Sequence, residues 1–200
     1  MADGYLKSLL TPSVREAERH YYGREYPSFE ESPETDELGE SEREFIESRD
    51  SFYLATITED GWPYLQHRGG PPGFLRVIDG NRIGFADYRG NRQMISVGSL
   101  GRDDRVSLFL MDYPSRSRLK IMGHARVIDV RGEPELAGKV ELPGGHASPP
   151  ERVFEIEVQS YDWNCPKFIT PRYTEEQIAG IVAPLKERIA RLEACLTEQG

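Results

Sequence analysis

Arginines and side-chain amides are concentrated between residues 64 and 93, and they are the groups of this chain best suited to bind an anion. The chain is acidic overall, with 25 Lys and Arg against 34 Asp and Glu, so such a cluster needs an anionic ligand or paired acids. A guanidinium donates two parallel hydrogen bonds and stays charged at cellular pH, which suits it to a phosphate. The cluster therefore predicts a phosphorylated cofactor or ligand. Two short strands and a turn are expected to bring its members together: Gln66, His67, Arg68, Arg89, Asn91, Arg92 and Gln93.

The charge and cysteine content argue against several classes of function. A net charge of −9 disfavours general nucleic-acid binding and attachment to an anionic membrane surface. No apolar run approaches the roughly 20 residues that span a bilayer, and residues 1–10 lack a secretory-signal pattern. Only Cys165 and Cys195 occur, without a CxxC partner, which fits a reducing compartment. We therefore expect a cytoplasmic protein with no nucleic-acid or membrane partner.

The histidines do not predict a metal site. His67, His124 and His146 stand at no spacing to Cys, Asp or Glu that is typical of zinc or iron ligands. His124 alternates along a predicted strand and is interpreted as structural. His67 is either a plain strand residue or a group that stacks near a ligand. No metal is therefore expected.

The first 50 residues predict a helical segment and a connector. Thr11 is a possible helix cap, Pro12 suits the first helical position, and Gly23 marks the end of the helix. Residues 24–40 are rich in Glu, Ser and Pro and predict an irregular connector. The run Ser41-Glu42-Arg43-Glu44 has a capping-box pattern, which predicts a second short helix ending near residue 49.

From residue 51 the apolar residues alternate with a period of two, which indicates strands. Strands at this regular spacing, joined by turns such as Asp60-Gly61, predict an antiparallel barrel over residues 51–173. A short helix is predicted over residues 91–100, and the Gly- and Pro-rich residues 131–150 predict a loop or flap. The predicted strands are residues 52–58, 63–68, 74–78, 82–86, 106–111, 118–130 and 153–160.

The C-terminal residues 174–200 predict an amphipathic helix. Thr174 resembles a helix start, and apolar residues follow at spacings of three and four up to Leu196. Pro184 would lie inside this helix and predicts a kink or two shorter helices. Two interpretations stay open: the helix packs on its own barrel, or it forms a short coiled segment at a subunit interface.

Three segments together resemble the pyridoxamine 5′-phosphate oxidase-like flavoproteins, and in particular their flavin-nucleotide-binding branch. They are YLQHRGG at residues 64–70, RGNRQ at residues 89–93 and DWNCP at residues 162–166, and the similarity covers about residues 45–173. The resemblance implies a mainly β, antiparallel FMN-binding split β-barrel with flanking helices. It also implies a homodimer with FMN at the subunit interface.

The resemblance further implies which residues bind the flavin. Residues 66–69 would run along the isoalloxazine ring beside the end of the next strand, and Arg118 and Lys120 would reach it from the neighbouring subunit. Residues 91–93 would form a phosphate clamp at a helix start, where free amides and the helix dipole favour an anion. Gln93 stands where the family has a lysine, so Arg89 or Arg68 is the candidate to supply that charge. The implied cofactor-binding residues are Gln66, His67, Arg68, Gly69, Ala86, Asp87, Arg89, Asn91, Arg92, Gln93, Arg118, Lys120 and Trp163.

Some of these residues also have plain structural interpretations. Arg68 and Arg92 could pair with surface acids, and Trp163 could be a packing residue with a satisfied indole N–H. The sequence Pro171-Arg-Tyr-Thr departs from the substrate-binding signature of the true oxidases. The resemblance therefore implies the fold and the flavin but not the substrate.

The implied function is that of an FMN-dependent oxidoreductase acting on a small molecule, with NAD(P)H, oxygen or a quinone as a possible redox partner. One alternative is a flavin-binding stress or sensor protein without turnover. Another is the deazaflavin F420 or haem in the same barrel. A third is a dimerisation protein whose pocket has lost its ligand.

Overall fold

The computed structural model describes residues 3–29, 31, 33, 35–163 and 166–198, so Asn164 and Cys165 of the DWNCP segment lie outside the described residues. The chain forms two compact units. The first comprises residues 1–111 and 118–165, and the second comprises residues 112–117 and 166–200. Among the described residues, no helix combines the length and the apolar character needed to cross a membrane.

Seven strands form one sheet in the first unit: β1 (Ser51–Ile57), β2 (Pro63–Gly69), β3 (Leu75–Asp79), β4 (Arg82–Asp87), β5 (Arg105–Asp112), β6 (Ser117–Asp129) and β7 (Arg152–Trp163). Their order is β2-β1-β5-β6-β7-β4-β3. Strand β1 pairs antiparallel with β2 and β5, while β4 pairs antiparallel with β3 and β7, and β7 with β6. The predicted mainly β, antiparallel fold is confirmed, and the sheet is open between β2 and β3.

Alternation along the strands separates a core face from an outer face. On β1, Phe52 and Leu54 are buried, whereas Tyr53 between them is exposed. Phe85 of β4 stacks on Phe154 of β7, with ring centroids 4.9 Å apart and planes inclined by 14°. This aromatic pair forms a fixed apolar support close to the point where β4 ends and β7 begins.

The N-terminal residues form α1 (Asp3–Leu9), α2 (Pro12–Tyr22) and α3 (Glu40–Glu47). Helix α2 has the predicted bounds, and Gly23 ends it in the left-handed conformation with φ of 67°. No sequence pattern had predicted α1. The predicted cap of α3 is wrong: the backbone N–H of Gly39 donates to Oε2 of Glu42 at 3.0 Å, so the helix begins one residue before Ser41.

Helix α4 (Ile95–Leu100) is shorter than the predicted helix of residues 91–100. Arg92 and Met94 have φ of 60° and 56°, and a right-handed helix cannot include residues in that region. The prediction that residues 91–93 start a helix is therefore wrong, and they belong to the loop that precedes α4. A further short helix, α5 (Pro134–Lys139), lies within the stretch that was predicted to be a loop.

The second unit contains α6 (Glu175–Glu198). Its start is a reciprocal cap, since the Thr174 N–H donates to Gln177 Oε1 at 2.9 Å and the Gln177 N–H donates to Thr174 Oγ1 at 3.2 Å. The helix runs on through Pro184, so of the two predicted alternatives, a kink or two shorter helices, the second is wrong. Its apolar side chains are each about half exposed or more: Ile178, Ile181, Leu185, Ile189, Leu192 and Leu196.

Candidate functional site

A polar cavity of about 260 Å³ lies at the β2 edge of the sheet. Its walls come from β2, from the loop between β4 and α4, from the start of α4 and from the start of β7. Most of its lining side chains are hydrogen-bond donors or amides. The lining residues are Tyr64, Gln66, Arg68, Asp87, Tyr88, Gly90, Asn91, Arg92, Gln93, Met94, Ile95, Ser96, Val97, Glu151 and Arg152.

Strand β2 sends alternate side chains to the two faces of the sheet. Gln66 and Arg68 line the cavity, and Ser96 of α4 donates its hydroxyl to Gln66 Oε1 at 3.0 Å. His67 lies on the opposite face, where its ring makes an edge contact with Tyr53 at 5.7 Å between centroids. The structure therefore brings Gln66 and Arg68 to the cavity but not His67.

The loop of residues 88–94 supplies the most accessible donors. Asn91 Oδ1 accepts the backbone N–H of Gln93 at 3.1 Å, and Asn91 Nδ2 donates to Gln93 Oε1 at 3.2 Å. These two hydrogen bonds hold the turn around Arg92, whose φ is 60°. Within the part of the chain that the structure describes, Arg92 is exposed and has no ion-pair partner. Its guanidinium is therefore available to a ligand anion.

The other charged groups of the cavity are already paired. Arg68 Nη1 lies 3.0 Å from Asp87 Oδ1, and Arg152 Nε lies 2.8 Å from Asp87 Oδ2. Arg152 also pairs with Glu151, Nη2 to Oε2, at 3.0 Å. The charges of these two arginines and two acids therefore balance among themselves.

Sequence reasoning did not identify Arg152. It lies at the start of β7, and the β4–β7 register places it opposite Asp87, 65 residues earlier in the chain. An arginine at the start of a strand is not unusual in itself. Only the register, which cannot be read from spacing, would have revealed its partner.

Several predicted site residues lie elsewhere in the first unit. Arg89 is exposed and does not line the cavity. Gly69 ends β2, and Ala86 packs on a small apolar cluster beside α5. Arg118 holds its Cζ 5.8 Å from the centroid of Phe109. Of these residues, none joins the cavity of this chain.

Lys120 and Trp163 each contact an acidic side chain of the same unit. Lys120 Nζ lies 2.7 Å from Asp162 Oδ2. The indole Nε1 of Trp163 donates to Glu42 Oε1 at 2.7 Å. Burial alone would raise the pKa of Glu42, but hydrogen bonds from Trp163, the Ser41 hydroxyl and backbone amides outweigh it, so the pKa is lowered. Trp163 thus has the satisfied N–H of a packing residue.

A comparison with family models decides the family. The model described as pyridoxamine 5′-phosphate oxidase matches residues 38–165, which is more than half of the chain. The chain belongs to the pyridoxamine 5′-phosphate oxidase family. None of the curated proteins matches it.

The solved structures that are similar to this chain have low sequence identity to it. A conserved hypothetical protein from Mycobacterium tuberculosis is 22% identical, with a TM-score of 0.49, covering 68% of this chain and 91% of that one. A pyridoxamine 5′-phosphate oxidase-related, FMN-binding protein from Nostoc punctiforme is 13% identical, with a TM-score of 0.42, covering 57% and 73%. An F420 reductase is 14% identical, with a TM-score of 0.45, covering 62% and 98%. The ligands and activities in these names belong to those proteins.

The donors that line the cavity fit the acceptor atoms of a flavin, namely its phosphate and its ring edge. Arg68 Nε is buried and has no hydrogen-bond partner among the described residues. A buried donor without an acceptor costs about 1–3 kcal/mol, and an acceptor atom of a ligand would satisfy it. Arg92 offers an unpaired cation at the cavity rim. Among the described residues, no three His, Cys, Asp or Glu side chains group as metal ligands.

A second, larger groove of about 940 Å³ adjoins the cavity in this family member. The two share Val97, Glu151 and Arg152. The groove floor is mainly apolar, while its charged residues comprise three acids and three arginines. The lining residues are Val97, Leu100, Gly101, Asp104, Ala125, Arg126, Val127, Asp129, Val130, Arg131, Pro149, Pro150, Glu151 and Arg152.

Proposed function

We propose that this protein binds FMN in the polar cavity and acts as a flavin-dependent oxidoreductase in the cytoplasm. The observation that carries the proposal is the donor set of the cavity, in which Arg92 has no ion-pair partner and Arg68 Nε has no acceptor among the described residues. Membership of the pyridoxamine 5′-phosphate oxidase family supports it. The small number of cysteines supports the location.

Different residues of the cavity would bind different parts of the cofactor. Arg92 and the neighbouring loop amides would bind the phosphate, because a guanidinium offers two parallel donors to its oxygens. Arg68 and Gln66 would donate to acceptor atoms of the ring edge. The bound flavin would supply hydride transfer, while the protein orients it and stabilises negative charge on it.

The groove beside the cavity is the proposed place for a small-molecule substrate or electron donor. Its floor is apolar, and several of its charged residues already have partners, such as Arg126 with Glu155 at 2.7 Å and Asp104 with His124 at 2.9 Å. Ligand sites commonly combine an apolar lining with few polar groups. The Gly- and Pro-rich segment contributes Pro149 and Pro150 to its wall.

The visible absorption spectrum of the purified protein, recorded before and after addition of FMN, tests the proposal. We expect flavin bands in the blue and near-ultraviolet after dialysis, and bleaching of those bands by NADH or NADPH under anaerobic conditions. A bound flavin that neither nucleotide reduces would favour a sensor. Addition of F420 or haem to separate samples tests these alternatives, and a protein that no cofactor colours or stabilises would contradict the proposal.

A homodimer is part of the proposal. Complete ligand sites usually have volumes of roughly 300–1,000 Å³, and the cavity of about 260 Å³ calls for further walls around a whole flavin. The outer face of the sheet carries Tyr53, Leu65 and His67, and Leu65 is 63% exposed. An exposed apolar face of this kind suits contact with a second copy. Arg118 and Lys120 of that copy stay the candidates to reach the flavin.

Leu65→Glu is expected to shift the protein from dimer to monomer in light scattering and to lower its flavin content. Leu65 lies on the edge strand with its side chain in solvent, so the charge is costly only where a second copy covers it. Tyr22→Glu, at a residue of α2 that is 78% exposed, is the matched control. A dimer that survives Leu65→Glu but is lost on deletion of residues 174–200 would assign the interface to α6 instead.

A further inference from the structure

We propose that Asp87 and Arg152 are positioning residues for Arg68, so that a three-residue chain, Arg152–Asp87–Arg68, fixes the guanidinium that meets the flavin. The inference rests on the proposed function, since it concerns the same cavity. It adds Arg152 to the site and changes the expected role of Asp87 from a ligand contact to a holder of Arg68.

Asp87 is placed to hold both arginines. Its Oδ1 accepts from Arg68 Nη1 at 3.0 Å, and its Oδ2 accepts from Arg152 Nε at 2.8 Å. The side chains of Arg68 and Arg152 are 18% exposed and that of Asp87 is 14% exposed. The backbone agrees with this register, since the Glu151 N–H donates to the Asp87 carbonyl at 2.9 Å. Charge-assisted hydrogen bonds of this length are strong and directional.

Arg68 is held in one orientation by contacts on two sides. Its Cζ lies 4.9 Å from the centroid of Phe154 and 5.4 Å from that of Phe85, which is the range of a cation–π contact. Asp87 fixes Nη1, while Nε has no partner among the described residues. The donors that Arg68 does not share with Asp87 are therefore held ready for an acceptor of the ligand.

Arg152 acts through Asp87 because two of its three guanidinium nitrogens, Nε and Nη2, face acids of this chain. Nε and Nη2 both lie 2.8 Å from Asp87 Oδ2, and Nη2 is also 3.0 Å from Glu151. Without Arg152, Asp87 would keep one guanidinium partner and lose the contact that fixes its second oxygen. Asp87 would then be free to turn, and Arg68 would lose its single orientation.

A double-mutant cycle on FMN binding tests the inference. FMN dissociation constants and visible spectra are measured for the full chain, Arg68→Met, Arg152→Met and the double variant. We expect Arg152→Met to raise the dissociation constant about tenfold, or about 1.4 kcal/mol, and to shift the flavin band in the same direction as Arg68→Met. In the Arg68→Met background the same change is expected to cost less than about twofold, because coupled residues are not additive.

Arg105→Met is the control for loss of an arginine elsewhere, because Arg105 forms an exposed pair with Asp103, Nε to Oδ1 at 2.9 Å, away from the cavity. It is expected to leave FMN binding unchanged. If thermal unfolding shows that Arg152→Met does not fold, Arg152→Lys, which keeps the charge but not the fork, is measured in both backgrounds with the same criterion.

The outcomes separate this inference from the proposed function. A wild-type protein that binds no FMN contradicts both. A wild-type protein that binds FMN while Arg152→Met multiplies the dissociation constant equally in both backgrounds contradicts only the role of Arg152. An unchanged dissociation constant and spectrum in Arg152→Met would also contradict only the role of Arg152.

Discussion

Arg92→Ala is expected to raise the dissociation constant for FMN roughly 10- to 150-fold, equivalent to about 1.5–3 kcal/mol. Arg92 lines the cavity and has no ion-pair partner among the described residues. Its loss would therefore remove a charged hydrogen bond to the phosphate without freeing a buried acid. Because α4 starts only at Ile95, the helix dipole does not replace it. Isothermal titration or flavin fluorescence quenching measures the change.

Two exposed arginines serve as controls for Arg92. Arg89 stands three residues earlier but does not line the cavity, so Arg89→Ala is expected to change the dissociation constant less than about twofold. Arg102 pairs with Glu59 at 3.3 Å. The variant Arg102→Ala measures the general effect of removing a positive charge. An unchanged affinity in Arg92→Ala, or an equal loss in Arg89→Ala, would contradict the assignment of the phosphate to Arg92.

Gly123→Ala is expected to destabilise the protein by about 3 kcal/mol. Gly123 lies at the register shift between β6 and β7. A Cβ added there would overlap the Glu157 carbonyl oxygen and lie 3.2 Å from Val158 Cα. These are backbone atoms of the neighbouring strand, which cannot turn away as a flexible side chain can. The two strands would have to separate, and hydrogen bonds of the ladder would be lost.

Thermal unfolding measures this effect, with an expected fall in Tm of roughly 6–12 °C for a chain of this size. Gly98→Ala is the matched control, because Gly98 lies inside α4 and a Cβ added there would meet nothing within 4 Å. That change is expected to raise stability by about 0.5–1 kcal/mol, since alanine restricts the unfolded chain. A Tm for Gly123→Ala within about 2 °C of wild type would contradict the steric argument.

The strands and the polar cluster were open to prediction because their signals are local. Hairpin turns such as Asp60-Gly61 and the alternation of Phe52, Tyr53 and Leu54 depend on near neighbours in the chain. Gln66, Arg68 and Arg92 were predicted to converge, and the structure brings them to one cavity. His67 was predicted to join them, and that prediction is wrong, because the period of two along the strand turns it away from Gln66 and toward Tyr53.

The errors have equally local causes. The start of α4 was placed too early because Arg92 and Met94 carry no residue-type signal for the left-handed conformation that they adopt. The cap of α3 was misplaced because Gly39 lacks the side-chain oxygen that usually marks a helix start. Pro184 was expected to kink α6 or to divide it into two helices, and the structure rules out the division, since the helix runs from Glu175 to Glu198.

The sequence by itself determined the strand pattern, the helix of residues 12–22, the anion-binding composition of residues 64–93 and the resemblance to a flavoprotein family. Only the tertiary structure decided which of those cations remain unpaired. Asp87 meets Arg152 across 65 residues, and Glu42 meets Trp163 across 121. Such pairs depend on strand register and on the packing of the whole sheet. Turn chemistry and alternation act between neighbours, so they reveal which elements form but not which charges those elements bring into contact.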